Sequence, residues 1–159
     1  MHTVRPRRIS VIGSGTCDAA TRETARELGR LLAERGFQIV CGGLSGVMAG
    51  VCQGAREAGG TTIGILPGDD PEAANPFVDV VIVTGMGIAR NVLVVRNGDT
   101  VVAVAGEAGT LSEIGIALKI GRPVIALGRY ATLPGVTAAT SAEEAVALVA
   151  ALADDPNGV

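Results

Sequence analysis

The segment 105–113 carries the residue types that best indicate chemistry in this chain, in the order Ala-Gly-Glu-Ala-Gly-Thr-Leu-Ser-Glu. It follows an apolar run at 101–104 and precedes a helical pattern, which predicts a buried strand that turns through glycines into a helix. The first turn of a helix has free N–H donors and a positive dipole end, which suit an anion such as phosphate. Glu113 lies about one helical turn beyond Thr110, so it can face the same cleft.

A structural interpretation of this segment is also open. Thr110 would then be the N-cap of the helix, and Glu113 would be its partner in a capping box. On that interpretation the glycines make a tight connection between a strand and a helix, and no ligand is involved. The segment alone leaves both interpretations open.

The composition indicates one folded domain and argues against several classes of protein. The chain has 159 residues, 48% hydrophobic and 18% charged, which suits a single domain over 1–159 with flexible ends at 1–8 and 154–159. A net charge of -3 and an aromatic content of 2% argue against nucleic acid, and no apolar stretch suits a membrane span. Three cysteines without metal-ligand spacing, and no secretory pattern, predict a cytoplasmic protein.

Apolar stretches alternate with amphipathic ones, which predicts alternating strands and helices. Strands are predicted at 9–13, 37–41, 61–66, 78–83, 100–105, 124–127 and, as a short seventh, 136–138. Helices are predicted at 19–35, 47–58, 88–96 and 111–120, followed by one that Ser141 caps. The 88–96 stretch would also suit a strand, and 67–76 is expected to be a loop. The fold class is therefore α/β, with a parallel sheet of about six or seven strands and helices on both faces.

Three glycine-rich loops fall at the carboxyl ends of predicted strands, where parallel sheets bind ligands. The residues in these loops that we expect to contact a phosphate or nucleotide are Gly13, Ser14, Gly15, Gly42, Gly43, Gly46, Gly106, Glu107, Gly109 and Thr110. Because three loops converge on one edge, we favour a binding site over turns alone.

Two common nucleotide-binding motifs are absent. The first loop has Asp18 where a dinucleotide fingerprint needs its third glycine, and the GK[ST] sequence of a P-loop does not occur. The lone histidine, His2, stands at the terminus, which argues against histidine-based acid–base chemistry and metal sites. We therefore predict no metal ligands and no cofactor.

Three motifs resemble those of the lonely-guy (LOG) family of cytokinin-activating phosphoribohydrolases, which are often mislabelled as lysine decarboxylases. The sequence GGLSGVM at 42–48, followed by GA at 54–55, is similar to the family's GGGxxGLM…GA pattern. Residues 105–113 are similar to PGGxGTxxE, and 86–91 lies where the family has MxxRK. The resemblance runs from the first strand through Pro123. It implies a Rossmann-like, LOG-type sheet in a homodimer or higher even oligomer that completes its sites at the interface.

The resemblance implies hydrolysis of the N-glycosidic bond of a nucleoside 5′-monophosphate, which releases a free base and ribose 5-phosphate. By position, Arg90 and Glu113 become the catalytic residues, Gly109 and Thr110 hold the phosphate, and Met86 belongs to the binding set. A carboxylate can stabilise the oxocarbenium-like transition state of glycoside cleavage, and Arg90 can pair with Glu113 and a phosphate. Taken alone, Arg90 would also suit an ordinary surface ion pair on a helix.

Three residues depart from the LOG motifs. Ala105 replaces the proline, Glu107 replaces the middle glycine, and Asn91 replaces the lysine of the RK pair, which lowers the local positive charge. The segments 85–91 and 109–114 look closer to a sister branch of uncharacterised bacterial proteins and molybdenum cofactor carrier proteins, which bind a pterin phosphate without transforming it. The alternative function is therefore a non-catalytic carrier or binder of molybdenum cofactor or a nucleotide.

Two other activities implied by related folds find less support in the sequence. A lysine decarboxylase would need a Schiff-base lysine, and the only lysine, Lys119, lies near a helix end. A DNA-processing module is opposed by the acidic balance and the scarcity of aromatic residues. The expected partner is therefore a phosphorylated small molecule, either an AMP-like nucleotide or a pterin.

Glu107 places a carboxylate in the expected phosphate cradle. At about 4 Å its repulsion of a phosphate is on the order of 4 kcal/mol for an effective dielectric constant of about 20, before rearrangement and salt reduce it. Its side chain could swing outward, occupy the anion site of the empty protein, or recruit a Mg²⁺ ion that bridges it to the phosphate. We expect the outward swing, because a glycine loop at the sheet edge has room for it.

Overall fold

The computed structural model describes residues 5–155. In this part of the chain the strands are β1 (Arg8–Gly13), β2 (Gln38–Cys41), β3 (Thr62–Leu66), β4 (Val80–Val83), β5 (Thr100–Val104), β6 (Val124–Leu127) and β7 (Thr137–Ala139). The helices are α1 (Ala19–Glu34), α2 (Val47–Glu57), α3 (Asn91–Asn97), α4 (Ala108–Lys119) and α5 (Ala142–Asp154). Two short 3₁₀ turns, Pro71–Ala73 and Gly87–Arg90, precede β4 and α3.

The strands form one seven-stranded sheet in the order β4-β3-β2-β1-β5-β6-β7, and every neighbouring pair is parallel. The chain winds outward from β1 to β4 on one side, then returns to the centre at β5 and winds to β7 on the other. The direction of winding therefore reverses between β1 and β5, and this is where open parallel sheets bind ligands. The predicted Rossmann-like α/β sheet of about six or seven strands is confirmed, with seven strands.

The two faces of the sheet carry separate apolar cores because side chains alternate along each strand. In β5, Val102 and Val104 pack into the core beneath α1, α2 and α5, while Val101 and Ala103 pack into the core beneath α3 and α4. The four residues are at most 2% exposed, so β5 is buried on both faces. This explains why the central strands have continuous apolar sequences rather than alternating ones.

Several predicted boundaries were wrong, and the largest error concerns α4. It begins at Ala108, three residues before its predicted start, because β5 ends at Val104 and the chain turns sharply at Ala105 and Gly106. The 88–96 stretch is a 3₁₀ turn followed by α3, so the strand alternative was wrong. β4 starts at Val80 rather than at residue 78, and β7 starts at Thr137, one residue after its predicted start.

The predicted flexible ends overlap with regular structure. Arg8 opens β1 and Asp154 closes α5. Residues 1–4, with His2, and residues 156–159 lie outside the described part of the chain. No helix between residues 5 and 155 is long and apolar enough to cross a membrane.

Candidate ligand-binding site

A pocket of about 220 Å³ opens at the carboxyl edge of the sheet, where β1 and β5 meet. All three predicted glycine loops contribute to its wall. The lining residues are Val11, Ile12, Gly13, Ser14, Gly15, Gly42, Met48, Arg90, Asn91, Glu107, Gly109, Thr110 and Glu113. The fold therefore brings most of the predicted site residues to one place.

Four predicted residues, Gly43, Gly46, Gly106 and Met86, do not line the pocket. A Cβ atom at Gly46 would lie 2.3 Å from the Ser14 carbonyl oxygen, and one at Gly106 would lie 2.2 Å from Thr110 Oγ1, so both glycines permit close packing inside the loops. Gly43 packs in the same way against a leucine of β3. Met86 is 47% exposed, just before the 3₁₀ turn that carries Arg90. The glycines support the wall instead of forming it.

The first two loops are joined by hydrogen bonds. The Val47 amide, at the start of α2, donates to the Ser14 carbonyl at 3.0 Å, and Ser45 Oγ donates to the Gly15 carbonyl at 2.7 Å. Asp18, which breaks the dinucleotide fingerprint, accepts from the Thr21 amide at 2.7 Å and caps α1. The two loops therefore form one unit at the starts of α1 and α2.

Arg90 and Glu113 form the floor of the pocket and are only 8% and 7% exposed. Arg90 Nη1 lies 4.0 Å from Glu113 Oε1, and Nη2 donates to the Gly42 carbonyl at 3.4 Å. Nη1 also donates to the side chain of Asn91. Within the described residues Arg90 Nε is buried without a hydrogen-bond partner. The prediction that Arg90 and Glu113 approach each other is confirmed, and the alternative of a surface ion pair was wrong.

Gly42 makes room for this arginine. A Cβ atom at Gly42 would lie 2.7 Å from Arg90 Nη2 and 2.8 Å from Met48 Sδ, which is too close for either atom to stay in place. The guanidinium thus reaches the floor because β2 is followed by a residue without a side chain.

Burial dominates the electrostatics of the floor. It raises the pKa of Glu113 to about 7, although the nearby positive charge of Arg90 acts in the opposite direction. Burial also lowers the pKa of Arg90 from its usual value, and the Glu113 charge partly offsets this effect. Near neutral pH, Glu113 is therefore divided between a carboxylic acid and a carboxylate, while the guanidinium keeps its charge. Such a carboxyl can donate or accept a proton.

The start of α4 forms the rim of the pocket. Glu107 is the N-cap residue, and its side chain makes no capping hydrogen bond. Thr110 is buried in the first turn, and Glu113 follows on the buried side, so the capping-box interpretation was wrong. The first-turn N–H groups and the positive dipole end therefore stand beside the pocket without a side-chain cap. Glu107 is exposed and also lines the pocket, so the expected outward swing of its side chain stays a prediction.

The predicted set missed four lining residues, Val11, Ile12, Met48 and Asn91, and one supporting residue, Tyr130. Met48 and Asn91 line the pocket. Both lie inside the quoted motifs, and their positions in those motifs could have identified them as site residues. Tyr130 lies outside those motifs, on the loop after β6, and its hydroxyl donates to the Glu107 carbonyl at 2.9 Å. Nothing in the sequence connects Tyr130 to Glu107, because the contact ends on a backbone atom.

The expectations that the protein has no metal ligands and is cytoplasmic stay predictions. Over residues 5–155, no group of three or more His, Cys, Asp or Glu side chains is placed to hold a metal ion. Cys17, Cys41 and Cys52 are free thiols.

The parallel sheet and the glycine-walled pocket at its reversal point define a Rossmann-like α/β protein with a candidate ligand site at the carboxyl edge. Within this class the chain belongs to the SLOG cluster4 family, whose model it matches over residues 6–155. The predicted resemblance to the LOG proteins and to their carrier branch is thereby confirmed.

Solved structures of molybdenum cofactor proteins match nearly the whole chain. The molybdenum cofactor binding protein from the phototrophic bacterium Rippkaea orientalis is 36% identical, with a TM-score of 0.90 and coverage of 95% of this chain and 99% of that chain. The molybdenum cofactor carrier protein from Chlamydomonas reinhardtii is 36% identical, with a TM-score of 0.86 and coverage of 95% and 100%.

A phosphoribohydrolase matches over a shorter region. The cytokinin riboside 5′-monophosphate phosphoribohydrolase of Mycobacterium tuberculosis is 34% identical over 95 residues, which are 58% of this chain and 51% of that protein. The match therefore spans about half the length of this relative.

Proposed function

We propose that this protein binds a small phosphorylated ligand of the nucleotide or pterin type and holds it without transforming it. The observation that carries the proposal is one pocket that joins the uncapped first turn of α4 to the buried, incompletely hydrogen-bonded Arg90. A helix start and a guanidinium are the two groups that proteins most often direct at phosphate. The glycine loops line the same pocket through Gly13, Gly15, Gly42 and Gly109.

The size of the pocket supports a ligand that is only partly enclosed. Its volume of about 220 Å³ is below the range of roughly 300–1,000 Å³ that is typical of pockets enclosing a whole drug-sized ligand. A phosphate and the group next to it fit this space, and a base or pterin ring extends past the rim. A protein that passes its ligand on gains from such partial enclosure.

Two features favour carriage over hydrolysis. The matched molybdenum cofactor proteins correspond to this chain over nearly their full length, whereas the phosphoribohydrolase corresponds over about half. Asn91 and Glu107 reduce the positive charge at the pocket.

Hydrolysis of nucleoside 5′-monophosphates is the second candidate, and the Arg90–Glu113 pair favours it. A carboxyl with a pKa of about 7 can protonate a departing base or orient water. The ionised fraction of Glu113 would then stabilise the developing cation, with Arg90 on the phosphate side.

Calorimetric titration with AMP and with isolated molybdenum cofactor tests binding, and chromatography after incubation with a panel of nucleoside monophosphates tests turnover. We expect binding without release of free base. Free adenine from AMP would replace the carrier proposal with the hydrolase, and Glu113→Gln should then abolish release while largely preserving binding. Glu107→Gln is the matched control, because it removes a carboxylate from the rim and leaves the floor intact. A protein that binds neither ligand contradicts both candidates.

We further propose that the protein is a homodimer or a higher even oligomer. Edge strand β4 is entirely apolar and its residues are 37–45% exposed, while Ile88, beyond the strand, is 89% exposed. An uncovered apolar strand edge invites pairing with another chain. Arg90 and Asn91 directly follow this surface, so a second copy would stand beside the pocket.

Light scattering at micromolar concentration measures the mass in solution. We expect a dimer or a higher even oligomer, and Ile88→Glu should shift the population towards monomer by placing a charge on the apolar surface. Leu152→Glu is a control, because Leu152 is also partly exposed but lies on α5, among the helices packed on the other face of the sheet. A monomeric mass for the wild-type protein would refute the proposal.

A further inference from the structure

Tyr130 connects the start of α4 to the apolar core. It lies on the loop after β6, is 8% exposed, and packs into the core beneath α3 and α4. Its hydroxyl donates to the Glu107 carbonyl at 2.9 Å. The Arg129 guanidinium lies 5.1 Å from the centroid of the Tyr130 ring, a cation–π distance that restrains the ring further.

The Glu107 carbonyl also begins α4, since it accepts the Leu111 amide at 3.0 Å. Two donors, one from the helix and one from Tyr130, therefore converge on a single oxygen. Two hydrogen bonds to the same carbonyl fix the orientation of the peptide between Glu107 and Ala108. The free N–H groups of the first turn follow directly, so their direction depends on this peptide.

The turn that leads into α4 needs such support. Ala105 has a φ of 52° and Gly106 a φ of 118°, and the first value is one that residues with a side chain rarely adopt. A strained turn of this kind persists only where its surroundings hold it, and such turns concentrate at functional sites. The Ala105 amide donates to the Leu127 carbonyl at 3.2 Å, so β6 and the loop behind it hold the turn on both sides.

We propose that Tyr130 is a positioning residue of the phosphate site and aims the first-turn N–H groups of α4 at the ligand. This inference rests on the proposed function, because it assigns a determinant of affinity to the same pocket. Tyr130 does not touch the ligand. It acts through the Glu107 carbonyl, and its buried ring supplies the rigidity that a site on a loop otherwise lacks.

Calorimetric titration with inorganic phosphate compares the wild-type protein with Tyr130→Phe, which keeps the ring and removes the hydroxyl. We expect the variant to bind phosphate about 2- to 10-fold more weakly, as for the loss of one hydrogen bond. The control is Arg129→Gln, which removes the cation–π contact and keeps the hydroxyl, and we expect its affinity to stay within about twofold of the wild type. Equal phosphate binding by the wild-type protein and Tyr130→Phe would overturn the inference and leave the proposed function intact.

The wild-type protein provides a second test, since it has one tyrosine and no tryptophan. Its intrinsic fluorescence therefore reports on Tyr130 alone. We expect a saturable change during phosphate titration, with the dissociation constant that calorimetry gives. If Tyr130→Phe does not fold, this titration decides, and constant fluorescence in the presence of calorimetric binding would overturn the inference. A wild-type protein that binds neither phosphate nor AMP would overturn the inference and the proposed function together.

Discussion

The floor and the rim of the pocket each carry a glutamate, from the second turn and the N-cap of α4 respectively, and the two lie in opposite environments. Glu113 on the floor is 7% exposed, lies beside a buried guanidinium and has its pKa raised to about 7 by burial. Glu107 on the rim is exposed and makes no capping hydrogen bond. The Glu113 carboxyl on the floor can therefore exchange a proton near neutral pH. The exposed Glu107 carboxylate on the rim would instead repel an incoming anion.

The glycines of the two regions differ in the same way. Gly42 on the floor is required by the space that Arg90 and Met48 occupy, whereas a Cβ atom at Gly109 on the rim would meet nothing within 4 Å. Neighbouring side chains therefore exclude a larger residue at Gly42 on the floor, whereas only a bound ligand would exclude one at Gly109 on the rim. Variants at the floor should change stability, and variants at the rim should change affinity.

The largest expected effect is on the pH dependence of stability. The Glu113 pKa is about 7 in the fold, against 4.5 for an exposed carboxyl, so the folded protein binds this proton more tightly than the unfolded chain. Its contribution to stability is therefore fully present below about pH 4.5 and is lost as the pH rises through about 7, by about 3 kcal/mol in all. Glu113→Gln is neutral throughout this range and should not show the loss. Denaturant unfolding at about pH 5 and about pH 8 measures the difference.

Glu107→Gln is the matched variant for this experiment. Its carboxylate is exposed to water, so we expect the pH profile of the wild-type protein to persist. If Glu113→Gln lost as much stability as the wild-type protein between the two pH values, the floor carboxyl would not be the titrating group, and the contrast between floor and rim would disappear.

A smaller effect on stability should separate Gly42→Ala from Gly109→Ala. The first places a Cβ atom against the far ends of the Arg90 and Met48 side chains, which must shift into the pocket, and we expect a cost of up to about 1 kcal/mol, at the low end for overpacking. The second replaces a helical glycine in open space and should be neutral or stabilising by up to about 1 kcal/mol. Denaturant unfolding of both variants at one pH provides the comparison. Equal stabilities would show that the floor is not close-packed.

Both alanine variants should weaken AMP binding for different reasons. Gly42→Ala displaces Arg90, whereas Gly109→Ala places a methyl group where we propose the phosphate to lie. A loss of affinity without a loss of stability at Gly109 is thus the signature of a ligand-facing rim.

Periodicity was sufficient to predict the sheet because the central strands are continuous apolar runs that end at glycines. The bounds of β6, 124–127, were predicted correctly, and the three loops do meet at one edge. The start of α4 was missed because Ala105 adopts a positive φ, and propensity assigns that conformation to glycine. The motif suggested Thr110 as the N-cap, whereas the N-cap of α4 is Glu107, three residues earlier.

The site could be predicted by residue type and not by environment. Arg90 was identified from its motif, but its burial depends on Gly42, which follows β2 and lies far away in the sequence. The raised pKa of Glu113 follows from the burial of its own carboxyl, which could not be read from spacing. Contacts between a side chain and a distant backbone atom, such as Tyr130 with Glu107, leave no sequence pattern at all.

The smallest expected effect concerns the rim charge. Glu107→Gly should tighten metal-free AMP binding, because it removes an exposed anion that repels a phosphate at the start of α4. Since the wild-type side chain is solvated, we use the repulsion in water, about 1 kcal/mol at about 4 Å, which corresponds to roughly a fivefold change in affinity. Titration calorimetry of the two proteins with AMP measures it, and added salt should shrink the difference.

Magnesium distinguishes repulsion from bridging at the same residue. If Glu107 only repels the phosphate, Mg²⁺ should change the affinity of the wild-type protein and of Glu107→Gly for AMP in the same proportion. If Glu107 holds a bridging ion, Mg²⁺ should tighten binding to the wild-type protein alone, since the carboxylate supplies the oxygen ligand that the ion needs. Glu107→Gln removes the charge and keeps a side chain, so it shows whether any gain in Glu107→Gly comes from charge or from space. Unchanged or weaker metal-free binding in both variants would show that the phosphate does not lie at the start of α4.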